Sequence, residues 1–219
     1  MPGLIDTPID EKNIGLGRLL YELRQDLDIY CLISVNAKEI NKRKIANTFF
    51  WHVQRLALSS IALNICKIFE GQKRGYELNS IRGILQHLVT LPSIAFDDVQ
   101  LRNFIWRYHG PSDFESPISA LQSTIDGFRD EHKVELDRFK TFRDKRAAHS
   151  EYGFASGTLP SCGVMEELFD FGADFYGLIS AAFVRDVVPY DFKTGRKAKV
   201  SLKRLLQELG LEAIKTEME

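Results

Sequence analysis

Residues Phe142 to Gly153, FRDKRAAHSEYG, set three basic side chains and an acid just ahead of two alanines and a histidine. Those residue types suit phosphate chemistry. An arginine guanidinium offers a planar fork of donors that matches two phosphate oxygens. An imidazole titrating near pH ~6.5 can take a proton and return it near neutrality. RNA supplies its own nucleophile, the 2′-hydroxyl, so a charge stabiliser and an acid/base suffice without a metal. Arg143 and His149 are the candidates for these two roles, and Lys145 and Arg146 would contact an RNA backbone or form a solvated face. The competing reading is a salt bridge at a helix end. Spacing does not decide between them, because Arg82 and His87, and Arg102 and His109, stand at similar separations. On an ideal helix, residues six apart point about 120° away from each other. Arginine's length, a local helix irregularity or a second subunit must therefore bring Arg143 and His149 onto one phosphate.

The element beneath the motif is predicted from apolar spacing. Leu121, Ile125, Phe128, His132, Leu136 and Phe139 recur three and four apart, which gives one face of a helix from about Pro117 to Ser150. Extending that stripe by four and three residues reaches Arg143 and Arg146, so the motif lies beside the core. Helices are also expected over Glu11–Ile33, along the stripe Leu16, Leu19, Leu20, Leu23, Leu27 and Tyr30, and over Lys38–Phe69, apolar around much of its circumference and hence central. His52 on that second helix reads as a core histidine. NSIRGILQHLVTLP reads as a capped helix, Ala95–Tyr108 continues helical, Val164–Val187 is strongly amphipathic, and VSLKRLLQELG closes the chain with a pattern like that of NSIRGILQHL. Strand signals are scarce. The fold class is all-α, a helical bundle with long central helices.

Composition bounds the rest. The 219 residues are 44% apolar and 27% charged with net charge −1, which excludes a wholesale electrostatic grip on a long nucleic acid but leaves room for a local basic site. Cys31, Cys66 and Cys162 are odd in number and far apart in sequence, so no disulfide framework or zinc site is expected, and a reducing cytoplasm fits best. No carboxylate or histidine cluster suggests a metal, and no cofactor is called for. The N-terminus lacks a signal-peptide pattern, and the most apolar stretch, Ala46–Phe69, carries too many polar groups to span a membrane. Residues 193–204 hold six positive side chains and no acid, either an RNA contact or a solvated lead into the last helix.

FRDKRAAHS resembles the R-D-K-x-x-A-H signature of the HEPN superfamily, in its abortive-infection type U branch. ALNICKIFEGQKRGYELNSIRGIL also resembles that branch, and the resemblance spans roughly residues 15 to 190. It implies a HEPN-like bundle over 1–190 with a basic C-terminal segment over 191–219. It further implies a metal-independent ribonuclease of a toxin–antitoxin or phage-defence system. Arg143 would then bind phosphate, Asp144 orient it, and His149 serve as general acid/base. A homodimer would pair two motifs, and an antitoxin protein would be a partner. Some HEPN toxins are silenced on a tyrosine two residues beyond the histidine; here Glu151 holds that place and Tyr152 follows it. Other HEPN members are non-catalytic nucleotide- or protein-binding modules, so that alternative stays open.

Overall fold

The computed structural model describes residues 7–44, 46–71, 79–90, 96–148, 159–183, 192 and 196–211, and among these there are helices and no strand. In chain order they are α1 (Thr7–Arg43), α2 (Asn47–Phe69), α3 (Ile81–Val89), α4 (Asp98–Arg107), α5 (Pro117–Glu131), α6 (Lys133–Phe142), a π-helical turn (Arg143–Ala148), α7 (Cys162–Phe183) and α8 (Lys197–Glu208).

The predicted stripes build the core. Leu16, Leu20, Leu23 and Leu27 of α1 are fully buried and meet Ile61, Ile65 and Ile68 of α2 and Leu168, Phe175 and Ile179 of α7 in one apolar cluster. α1 and α7 approach closely because Gly172 carries no side chain: a Cβ there would lie 2.9 Å from a Leu20 methyl. Phe171 and Phe128 stack at 3.9 Å in the centre, joined by Phe104, Tyr108 and Phe69. Side-chain caps start the shorter helices where expected: Ser80 accepts from the Gly83 N–H, Asp97 from that of Gln100, and Ser116 from that of Ser119.

Four expectations are corrected. The first helix does not stop at Ile33. Ser34 donates to the Tyr30 carbonyl and Asn36 to the Leu32 carbonyl, both at 2.8 Å, so residues that resemble a loop continue the helix to Arg43. The turn comes instead at Lys44 and Ala46, both with positive φ. The long helix predicted from Pro117 is interrupted at His132, a junction with φ −95° and ψ 17°. Backbone bonds continue through it, His132 N–H to Phe128 and Leu136 N–H to His132, so the axis shifts without breaking.

Third, α2 is not central all round. Phe49, Leu56 and Leu63, seven apart, are 56%, 54% and 40% exposed, and His52 between them is exposed rather than a core histidine. Fourth, Cys31 and Cys162 form a disulfide, with Cα atoms 6.1 Å apart, although 131 residues separate them. Packing of α7 along α1 brings them together, which separation in sequence could not show. No helix among the described residues is long and apolar enough to cross a membrane.

Candidate functional site

Arg143 opens the π-helical turn that follows α6. A π turn closes i→i+5 bonds, widens the helix and shifts the phase of every residue after it, and such turns recur at functional positions. A local helix irregularity is one of the three ways of bringing Arg143 to His149, and His149 lies outside the described residues. α6 is fixed beneath it by Phe139 and Phe142, both buried.

The Arg143 side chain is 21% exposed and lies between two acids. Its Nε donates to Asp144 Oδ1 at 2.8 Å, and its guanidinium stands 3.9 Å from Glu70 Oε1 at the end of α2. The Asp144 bond, opposed by burial and reinforced by Glu70, holds its proton even more firmly than usual. Arg143 is therefore a permanent, oriented cation on a partly exposed side chain. Asp144 and Lys145 are exposed. The side chain of Arg146, together with His149, Glu151 and Tyr152, lies outside the described residues.

No spacing in the sequence placed Glu70 or Cys66 at the motif. Glu70 is 73 residues from Arg143, and only the polar break FEGQKRG hinted that α2 ends near something. Among the described residues the buried Cys66 thiol is a nearby group that could be mistaken for a nucleophile. Burial pushes its pKa up to about 11 despite the neighbouring Arg143 charge. A thiol so held is protonated at neutral pH and inert. Iodoacetamide at pH ~7.5 is expected to leave Cys66 unmodified in the folded protein and to label it after unfolding. Mass spectrometry of the tryptic peptide reads this directly, and prompt labelling in the folded state would show the site to be open.

Other cavities lie elsewhere among the described residues. One, of about 330 Å³, opens between the end of α4, the end of α5 and the start of α7, and is lined by Glu131, Glu166, Glu167 and Asp170 beside Arg107 and His109. Its acid excess makes it a poor receptor for phosphate. Burial, then the neighbouring Glu166 charge, raises the Asp170 pKa. Among the described residues no group of three or more candidate ligands could hold a metal.

With this geometry in place, comparison with known families is decisive. The model of the HEPN_AbiU2 family, described as AbiU2, matches residues 14–202. The chain belongs to the HEPN_AbiU2 family. The match begins within α1, covers α2 to α7 and runs into α8. It includes the RDKRAAH stretch, and a HEPN-type all-α module is therefore shown. No curated protein and no solved structure matches the chain.

Proposed function

We propose that this HEPN_AbiU2 member is a metal-independent endoribonuclease of a bacterial toxin–antitoxin or phage-defence system. The observation that carries the reading is Arg143: a cation aligned by Asp144, with Glu70 3.9 Å away, on a π-helical turn, six residues before His149. In the proposed reaction His149 removes the proton of the 2′-hydroxyl as it attacks the adjacent phosphorus. Arg143 stabilises the pentavalent charge. The P–O5′ bond breaks as the leaving 5′-oxygen takes the proton back from the His149 imidazolium, and the products are a 2′,3′-cyclic phosphate and a 5′-hydroxyl. Asp144 keeps the guanidinium in place and Lys145 and Arg146 hold flanking phosphates. Two chains assembled as a homodimer would set two motifs side by side, and an antitoxin protein would cover them. A cytoplasmic setting follows the family reading, although a disulfide such as Cys31–Cys162 is rare in a reducing compartment.

The second reading, a non-catalytic module that binds a nucleotide or a protein, draws on the same residues. Arg143 already has two acids for company, as it would in a structural ion pair. Incubation of single-stranded RNA with the wild-type protein in excess chelator separates the two readings. Cyclic-phosphate ends are expected from wild type, with at least a hundredfold loss in His149→Ala. Equal survival of the RNA with both proteins leaves only the binding module.

A further inference from the structure

Three segments meet at the end of α2 opposite Glu70: the last turns of α1 (38–44), the first turns of α2 (46–55), and the later part of α8 with its end (200–211). Ile40, Phe50, Leu206 and Leu211 from them form a small core with Ile33. Together these segments carry seven lysines and arginines and two acids, whereas the rest of the chain has 22 and 28. In a chain of net charge −1 these segments are a local basic excess. Lys42, Lys44, Lys203 and Arg204 are exposed, and none of them pairs with a carboxylate among the described residues.

Aromatic faces stand among these cations. Phe49 and Trp51 are 56% and 57% exposed, and the Arg55 guanidinium lies over the Trp51 ring at 5.2 Å. Large exposed rings cost solvation unless something covers them. Their placement says what. Residues two apart on a helix point about 200° away from each other. Phe49 and Trp51 therefore cannot enter one flat apolar layer together, whereas a flexible strand bending round the start of α2 meets both. Dispersed cations for phosphates, with π faces for unstacked bases, are the chemistry of single-stranded nucleic acid recognition.

We propose that this end of the bundle is a docking surface for single-stranded RNA, distinct from the motif. Trp51 stands 19 residues before Glu70 on α2, so the two sites are about 28 Å apart. The choice of RNA over DNA rests on the ribonuclease reading; the binding itself does not depend on cleavage. The surface holds a long strand while its downstream portion reaches Arg143, and a dinucleotide is too short to touch both.

Fluorescence anisotropy with a labelled, unstructured 20-nucleotide RNA tests this in the full chain carrying Arg143→Ala, which suppresses turnover. The combined variant Lys42→Gln, Lys203→Gln, Arg204→Gln is expected to bind at least tenfold more weakly at moderate salt. Its slope of log affinity against log salt should fall by about two, since three phosphate contacts contribute roughly 0.7 each. Trp51→Ala is expected to weaken binding roughly tenfold with the slope unchanged. Circular dichroism confirms that each variant is folded. Unchanged RNA affinity in both folded variants overturns the proposal. So does loss of binding to phosphatidylserine vesicles with RNA binding intact, because the surface then belongs to a membrane. RNA binding lost in these variants, with no cleavage by wild type, sinks the ribonuclease reading and leaves the docking surface standing. Wild-type cleavage with indifferent variants does the reverse.

Discussion

Arg24→Ala is expected to lower the unfolding free energy by about 3–5 kcal/mol, the range for removing one partner of a buried ion pair. Arg24 lies on α1 at 5% exposure. Its guanidinium donates to both carboxylate oxygens of Glu166 on α7 and, at 2.7 Å, to Asp28 one turn along α1. It also lies over the Phe169 ring at 5.0 Å. Asp28 is 2% exposed and receives a second arginine, Arg196, from the start of α8. Burial works against the Arg24 charge, but Glu166 and Asp28 outweigh it and hold the proton more firmly than usual. Truncation leaves Asp28 buried with one cation instead of two and opens a void over Phe169. A variant that removes the buried charges together, Arg24→Met with Asp28→Leu, is expected to regain most of the loss, because apolar groups of similar volume carry no desolvation cost. Urea unfolding followed by circular dichroism measures both. A single variant within 1 kcal/mol of wild type would mean that water reaches the network and screens it.

That network shows where sequence reading stops. The buried stripes of α1, of α5 with α6, and of α7 were legible because apolar side chains repeat at the helical period and nothing else explains that repetition. Arg24 sits next to Leu23 in the same helix, and nothing local distinguishes it from the exposed Arg18. Its partner Glu166 comes from α7, Arg196 at the start of α8 joins only through their shared Asp28, and only the completed packing of α1 against α7 and α8 makes it a buried charge. Cys31 and Cys162 were misread for the same reason. The motif divides along this line as well. Arg143 was singled out because a charge continued an apolar stripe, and the helical wheel left arginine's length, a helix irregularity or a second subunit to bring it to His149. A π turn does follow the buried Phe139 and Phe142, and no spacing encodes it. His52 was misplaced because an apolar neighbourhood in sequence was taken for one in space, while α2 leaves that face open.

Arg143→Ala is expected to lower kcat for RNA cleavage by about 10²–10³, the usual cost of removing one preorganised donor to a developing oxyanion. Arg143→Lys is expected to restore only a small part of that rate. An ammonium supplies the charge but not the planar fork, and the 2.8 Å bond from Nε to Asp144 has no counterpart on lysine. Glu70 makes the prediction specific to this protein. At 3.9 Å it is close enough to draw the guanidinium but too far to hydrogen-bond, so it competes for the cation without satisfying a donor. Glu70→Gln removes that competition and is expected to lower KM several-fold with kcat little changed, since ground state and transition state gain alike. Asp144→Asn keeps an acceptor for Nε and should act mildly, whereas Asp144→Ala frees the guanidinium to swing and should lower kcat. Single-turnover measurements on a defined RNA, with folding monitored in parallel, separate these effects. If Arg143→Ala lowered the melting temperature and left cleavage intact, the Arg143–Asp144–Glu70 cluster would be a structural clasp. The catalytic cation would then have to be sought among the other basic residues of the motif.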